Sequence, residues 1–285
     1  MIRTRLRALA APLTTALVTL AVAGAIYIGT KAPRTASGAE TTAATPASTP
    51  STASPTPEAS TSATADPDQH ATPSPTRSAT SGDGPFGSWR TTGGSHVALT
   101  FDDGPDPEHT PRVLALLREH GVKATFCLVG VNAQAYPDLV RAIAADGHTL
   151  CNHSWNHDFN LGGRSRAAIR ADLARTNEAI RKAVPDARIA YFRQPGGYWT
   201  KSVVTVAREL GMISLHWDVD PQDWRRPGAR SIAKQVTTAT AAGSIVLLHD
   251  GGGDRRGTVE ALHTILPNLT RRFDVAALPA GDASH

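Results

Sequence analysis

The stretch His96-Val97-Ala98-Leu99-Thr100-Phe101-Asp102-Asp103 joins an apolar run to two adjacent carboxylates. A second short run, Thr149–Asn152, is followed by His153 and His157 with three residues between them. Short apolar runs of this length are typical of buried strands. Two imidazoles and a carboxylate suit one divalent metal ion, and the adjacent second carboxylate is then free to act on water. The pattern indicates metal-assisted hydrolysis.

Apolar runs alternate with helical patterns from His96 onward, which is typical of a parallel α/β sheet. Helix starts are also readable, with Thr110 and Thr258 as predicted N-terminal caps. We predict an α/β fold: a distorted or incomplete (β/α) barrel of about seven parallel strands. The predicted strands are Val97–Phe101, Lys123–Val129, Thr149–Asn152, Ile189–Arg193, Met212–Trp217, Ile245–Leu248 and Val275–Leu278.

Polar residues occur where the predicted strands end. Parallel barrels and open α/β sheets both carry their active sites at the C-terminal ends of the strands. We therefore expect one site to form from residues that follow five different strands. These residues are Asp102, His153, Arg193, Asp220 and His249.

The first third of the chain does not have the composition of a folded domain. Three arginines precede the uncharged, mostly apolar stretch Ala8–Thr30, so residues 1–30 are predicted to be an export signal, either cleaved or kept as a membrane anchor. Residues 31–83 are rich in Ala, Thr, Ser and Pro and are predicted to be a disordered linker. Residues 84–285 are left as the catalytic domain. We expect an extracellular protein, secreted or tethered to the outer face of the cytoplasmic membrane.

The charge balance argues against a nucleic-acid partner. The chain has 29 Lys and Arg against 25 Asp and Glu, a formal net charge of +4. No basic stripe interleaved with aromatic residues occurs in the sequence. Nucleic-acid binding is therefore not expected.

The sequence has two cysteines, Cys127 and Cys151, in predicted neighbouring strands. An exported chain permits a disulfide between them. Two reduced thiols filling core positions would produce the same sequence. Both alternatives stay open at this point.

Five segments, in order, resemble the motifs of the polysaccharide deacetylases, the NodB-like family of carbohydrate esterases. They are Thr100–Pro105, His153–His157, Arg193–Gly197, Asp220–Trp224 and Leu247–His249. Each motif alone is weak, but five ordered matches within roughly 150 residues are specific. The resemblance covers about residues 95–280 and leaves out the first third of the chain.

The resemblance implies a metal centre with a separate base and acid. Asp103, His153 and His157 are implied as ligands of one divalent ion, foremost Zn²⁺, although Co²⁺, Ni²⁺ or Fe²⁺ fit the same donors. Asp102 is implied as the general base for the attacking water, and His249 as the general acid.

Further residues are implied to support this chemistry. By resemblance Arg193 holds Asp102, Asp223 sets the charge state of His249, and Trp224 and Leu247 line a pocket for the acetyl methyl group.

The chain departs from the family pattern at one position. The third motif often has a tyrosine where this chain has Gly196, whose backbone N–H is implied to stabilise the oxyanion. The departure leaves the shape of the substrate groove open. Aromatic faces stack on sugar rings, so Trp155 and Trp199 are predicted as substrate contacts, whereas Trp217 is predicted as a core residue.

We expect a monomer that removes acetyl groups from N-acetylglucosamine units of peptidoglycan or chitin oligomers. Acetylxylan esterases resemble the same family, so O-deacetylation of acetylxylan is the near alternative. Two further alternatives are a non-haem iron enzyme, which uses the same three ligand types, and a non-catalytic wall-binding module. Neither of these needs the paired Asp base and the His249 acid.

Overall fold

The computed structural model describes residues 82–280. The predicted signal and the predicted linker, apart from its last two residues, lie outside the described residues. Those two residues already bond to the domain: the Gly82 N–H donates to the Gly87 carbonyl, and the Asp83 carboxylate accepts from the Arg90 N–H. Within residues 82–280 no helix has the length and apolarity needed to cross a bilayer.

Six parallel strands form one sheet in the described part of the chain. Asp102, the last residue of the first strand, stands in register with His249 of the last strand, because these two strands are neighbours. The spatial order is β5-β4-β3-β2-β1-β6. The strands are β1 (Ala98–Asp102), β2 (Thr125–Leu128), β3 (Thr149–Asn152), β4 (Tyr191–Phe192), β5 (Ile213–Ser214) and β6 (Ile245–His249).

The sheet is curled, and the segment that follows β5 at one edge bonds to β6 at the other. After β5 the backbone reaches β6, where Val219 forms a bridge with Val246 and accepts a bond from the Leu247 N–H at 2.9 Å. The prediction of a distorted (β/α) barrel is thereby confirmed.

The seventh predicted strand, Val275–Leu278, is wrong as a strand. It forms only a single bridge, between Val275 and Val97. The Ala276 N–H donates to the Val97 carbonyl at that bridge, but farther along the Leu278 carbonyl accepts from Thr149 Oγ1 and the Leu278 N–H donates to Thr125 Oγ1.

Helices cover the outer face of the sheet. In α1, four apolar residues at helical spacing are buried: Val113, Leu114, Leu116 and Leu117. The helices are α1 (Thr110–Glu119), α2 (Gly130–Ala135), α3 (Pro137–Ala145), α4 (Arg166–Ala183), α5 (Lys201–Glu209), α6 (Ala229–Ala239) and α7 (Arg256–Thr270). The predictions of Thr110 and Thr258 as caps are wrong, because α1 begins at Thr110 itself, after His109, and α7 begins two residues before Thr258.

The two faces of the sheet carry different side chains, because side chains alternate along a strand. In β1, Leu99 and Phe101 join the large core beneath the helices, while Ala98 joins a smaller cluster on the other face. Cys127 and Cys151 lie opposite each other on β2 and β3 and form a disulfide on that second face. Of the two alternatives left by the sequence, the structure shows the disulfide.

Candidate active site

The predicted strand-end residues converge on one cavity of about 760 Å³. The loops that follow β1, β3 and β6 all contribute to its lining, as expected for a parallel α/β sheet. Arg193 and Asp223 lie behind the lining and are buried. The predicted site residues that line the cavity are Asp102, Asp103, His153, His157, Gly196, Asp220, Trp224, Leu247 and His249.

Asp103, His153 and His157 form a cluster that could hold a metal ion. Their donor atoms all lie within 4.8 Å of one another. Asp103 Oδ1 is 3.4 Å from His153 Nε2 and 3.1 Å from His157 Nε2. Ligand atoms bound tetrahedrally to Zn²⁺ at about 2.0–2.1 Å would stand about 3.3–3.4 Å apart. The donor spacing of this cluster therefore fits such an ion.

Neighbouring groups orient these donors. His153 Nδ1 lies 2.8 Å from the Arg193 carbonyl, and an Nδ1–H donated to that oxygen leaves the Nε2 lone pair facing the cluster. Asn132 Nδ2 donates to the Asp103 carbonyl at 2.9 Å. Asp103 Oδ1 is buried and has no aligned hydrogen-bond donor among the described residues. A buried carboxylate oxygen of this kind is costly unless a cation completes the site.

Asp102 is held by a buried arginine through one carboxylate oxygen, while its Oδ2 lies 3.5 Å from His153 Nε2 at the edge of the cluster. Arg193 is fully buried, and its Nη1 donates to Asp102 Oδ1 at 2.7 Å and to Thr100 Oγ1 at 2.8 Å. The rest of the guanidinium donates to the Leu215 and His216 carbonyls. Asp103 has a left-handed φ of 73°, so the chain turns between the two aspartates and their carboxylates take different partners.

His249 is held by a second buried carboxylate. Its Nδ1 lies 2.7 Å from Asp223 Oδ1, and its backbone N–H donates to Asp223 Oδ2 at 2.9 Å. Burial acts to lower the pKa of His249, but the hydrogen bond and charge of Asp223 outweigh it and raise the pKa to about 9. The imidazole is therefore protonated at neutral pH, and it lines the cavity as a proton donor.

A family model described as Polysaccharide deacetylase matches residues 90–214. The chain is 41% identical to a peptidoglycan-N-acetylglucosamine deacetylase of Bacillus cereus over 178 residues, which is 62% of this chain and 82% of that protein. It is 40% identical to a chitooligosaccharide deacetylase of Sinorhizobium fredii over 199 residues, which is 66% of this chain and 92% of that protein. The chain belongs to the polysaccharide deacetylase family.

Solved structures of the family have the same fold. A peptidoglycan N-acetylglucosamine deacetylase in complex with an N-oxidanyl-benzamide is 35% identical, with a TM-score of 0.62 over 66% of this chain and 87% of that one. A CE4 family pseudoenzyme from Bacillus anthracis is 31% identical, with a TM-score of 0.60 over 65% of this chain and 64% of that one. Because the fold also occurs in a pseudoenzyme, activity depends on the side chains at the site and not on the fold alone.

Two residues predicted as substrate contacts do not reach the deacetylase cavity. Trp199 is buried, donates its indole N–H to His216 Nδ1 at 3.1 Å, and packs edge-on against Phe192. Trp155 packs against the core, and the Arg175 guanidinium lies 3.6 Å from its ring centroid. Neither ring lines the cavity, because proximity to a motif in sequence does not determine the direction of a ring.

Other residues at the deacetylase site were missed in the sequence. Trp217, predicted as core, lines the cavity together with Phe159 and Tyr198. Thr258, predicted as a helix cap, instead donates its hydroxyl to Asp223 Oδ2 at 2.7 Å. The position of Thr258 two residues into α7 carries no signal for this long-range bond.

A further buried carboxylate, Asp250, supports the turn of the first deacetylase motif. Its N–H donates to the Asp102 carbonyl at 3.1 Å, and its Oδ2 accepts from Thr110 Oγ1 at 2.5 Å. Burial and the nearby charges of Asp103 and Asp102 raise the pKa of Asp250 to about 7. A side chain at Gly104 would come within 2.5 Å of Asp250 Oδ2, which explains the glycine of this motif.

Proposed function

We propose that this protein is an extracellular, metal-dependent polysaccharide deacetylase that hydrolyses the N-acetyl groups of N-acetylglucosamine units in peptidoglycan or chitin oligomers. One observation carries the proposal. Around a single cavity stand a metal-type cluster and two separately held acid–base groups, Asp102 with Arg193 and His249 with Asp223. The similarity to relatives named as deacetylases of these two glycans supports the substrate class.

The first half of the reaction is an addition of water to the acetyl carbonyl. Asp103, His153 and His157 would hold a divalent ion, which when bound would supply Lewis acidity and lower the pKa of water toward about 7. Asp102 takes the proton as the water oxygen attacks the carbonyl carbon, and the bond from Arg193 Nη1 at 2.7 Å fixes the direction of the carboxylate. Gly196 lines the cavity, and we assign its backbone N–H as the hydrogen-bond donor to the developing oxyanion.

The second half breaks the carbon–nitrogen bond. Collapse of the tetrahedral adduct expels the sugar nitrogen, which accepts a proton from His249 and leaves as an amine beside acetate. Asp223 holds the imidazole in its protonated form, as this step requires. Leu247 and Trp224 line the cavity, and we propose that they contact the acetyl methyl group.

We propose amide cleavage over ester cleavage because of the protonation state of His249. An amine leaves poorly unless it is protonated, whereas an alcohol depends less on the acid. A histidine that stays protonated at neutral pH, because Asp223 lies 2.7 Å away, suits the more demanding leaving group.

The test is acetate release from chitopentaose, peptidoglycan and acetylxylan, measured by mass spectrometry on the full-length protein supplied with Zn²⁺. We expect N-deacetylation of one or both N-acetylglucosamine glycans. We also expect that exhaustive chelation abolishes the activity and that one equivalent of metal restores it. Turnover that survives chelation would rule out the metal role, and release from acetylxylan alone would make the protein an O-deacetylase.

We also propose an extracellular location. The disulfide between Cys127 and Cys151 belongs to oxidising compartments, and residues 1–30 have the form of an export signal. Fractionation of cells with an antibody to the catalytic domain tests this. We expect the protein in the medium or accessible to protease on intact cells, and protection inside the cytoplasm would contradict the proposal.

A further inference from the structure

Three large aromatic side chains stand exposed where the cavity opens. Phe159, Tyr198 and Trp224 are 49%, 64% and 45% exposed, and all three line the cavity. We call them the aromatic rim. Scattered exposed aromatics need no explanation, but a group of them around a cavity marks a binding surface. Two of the three, Phe159 and Tyr198, also explain the glycine that departs from the family pattern.

Gly196 lies directly beneath these two rings. A Cβ atom at this position would stand 2.7 Å from Tyr198 Cε2 and 2.8 Å from Phe159 Cδ1, closer than non-bonded carbons approach. Gly196 also has a left-handed φ of 63°, which disfavours a side chain. The space over residue 196, where the family often has a tyrosine side chain, is therefore filled by rings from Phe159 and Tyr198.

The two rings are held in place by contacts with His157, with each other and between their loops. The Phe159 ring meets the His157 ring edge-on at a centroid distance of 4.7 Å, and the Tyr198 ring meets Phe159 in the same way at 6.0 Å. Gln194 Nε2 donates to the Asp158 carbonyl at 3.2 Å and so ties the loop that carries Phe159 to the third motif. The series of rings runs from a predicted metal ligand to solvent.

We propose that Phe159 and Tyr198 form a stacking platform for a pyranose ring of the glycan, next to the sugar that loses its acetyl group. The C–H face of a β-linked sugar is apolar and covers an aromatic ring well. This proposal rests on the proposed function for the identity of the ligand. It assigns the contact made by a neighbouring sugar, so it requires a substrate of at least two units.

Binding is tested without turnover. Asp102→Asn, in the full-length protein with Zn²⁺, serves as the background for calorimetric titration with chitopentaose. Adding Phe159→Ala or Tyr198→Ala should weaken binding by about 3- to 10-fold each, the range expected for loss of an aromatic contact. Tyr198→Phe keeps the ring, so this variant should bind chitopentaose as tightly as the Asp102→Asn protein does. Phe86→Ala removes an aromatic residue that is 57% exposed but does not line the cavity, so it is the matched control.

Equal affinities for the Phe159→Ala, Tyr198→Ala and Phe86→Ala proteins would overturn the platform. Turnover separates this result from failure of the proposed function. If the parent protein releases no acetate from any glycan, the proposed function fails. The difference in affinity between the two alanine variants and the Phe86→Ala control still decides whether the platform exists. If the parent is active, the two alanine variants should show a KM for chitopentaose raised more than kcat is lowered.

The filling of the space at Gly196 has its own test. Gly196→Ala should weaken binding of chitopentaose in the Asp102→Asn background, which is kept throughout, because the new methyl group displaces both rings. In a Phe159→Ala, Tyr198→Ala background the same change should cost several-fold less, and the strain at φ 63° cancels because it is present in both. Equal costs in the two backgrounds would show that the rings do not occupy this space.

Discussion

The buried polar centre and the aromatic rim lie around one cavity but are built in opposite ways. The centre comprises Asp102, Asp103, His153, Arg193 and His249, each at most 8% exposed. Its groups stand at strand ends and are held by hydrogen bonds and ion pairs of 2.7–3.5 Å. The rim consists of half-exposed rings outside the sheet, of which Phe159 and Tyr198 are held by ring contacts.

This difference separates chemistry from recognition. Strand ends are fixed by the ladder of backbone hydrogen bonds, so a strand end positions a reacting group precisely enough for catalysis. Loops are freer to vary in sequence, and an aromatic face tolerates a range of sugar positions. We therefore expect substitutions in the centre to abolish turnover and substitutions in the rim to change KM.

The largest effects should come from the two aspartates, which should fail in different ways. Asp102→Asn keeps the shape of the side chain and leaves the ligand cluster intact, so metal should stay bound while turnover falls by roughly 10²- to 10⁴-fold. Asp103→Asn removes a charged ligand and should lower both metal occupancy and turnover. Metal content by mass spectrometry, read beside acetate release, separates the two. Loss of the ion in Asp102→Asn but not in Asp103→Asn would reverse the assigned roles.

His249→Ala should leave the metal bound and lower deacetylation of chitopentaose by roughly 10²- to 10⁴-fold. The defect should be smaller on an activated acetate ester, whose leaving group needs no proton. The ratio of the two rates, compared with that of the parent, is the measurement. An equal loss on both substrates would remove the acid role from His249.

The pH dependence should follow His249 as well. Turnover needs the protonated imidazole, so it should decline as pH rises through the pKa of about 9. Asp223→Asn removes the carboxylate that raises this pKa, so the alkaline limb should move to lower pH. The sign is the same for stability, since a pKa raised above 6.5 stabilises the fold below that pH and the gain is lost as pH rises through about 9. If turnover of Asp223→Asn declines at the same alkaline pH as that of the parent, the decline reports a group other than His249.

A smaller effect should follow from Thr258→Val. The change removes the hydroxyl that donates to Asp223 at 2.7 Å, and it should lower the free energy of unfolding by about 1–2 kcal/mol. Thr238→Val, at an exposed position on α6, is the matched control. Chemical denaturation of both variants measures the difference, and equal stabilities would show that the bond contributes nothing.

The smallest effect should come from the rim. Trp224→Ala should raise the KM for chitopentaose by about 3-fold, since the ring is 45% exposed and one of several lining groups. Trp199→Phe should leave that KM unchanged, because Trp199 is buried away from the cavity. A larger rise in KM for Trp199→Phe than for Trp224→Ala would contradict the placement of the two rings.

The sequence by itself determined the fold class and the polar centre. Apolar runs and helix periodicity depend on local spacing, and the strand-end position of Asp102, His153 and His249 follows from where each run stops. Since parallel strands place those ends on one face, their convergence could be inferred before any coordinates were known. The family resemblance added the roles of these residues as metal ligand, general base or general acid. The aspartate and histidine variants test those roles.

Only the tertiary structure decided the directions of side chains on loops and the contacts between distant segments. Trp199 turned inward and Trp217 turned toward the cavity although both lie near motifs, because ring direction depends on packing and not on spacing. The bond from Thr258 to Asp223 spans 35 residues. The filling of the space at Gly196 likewise joins Phe159 to a loop nearly forty residues away. Such contacts form only when strands from separate parts of the chain are brought side by side, so no local pattern in the sequence contains them.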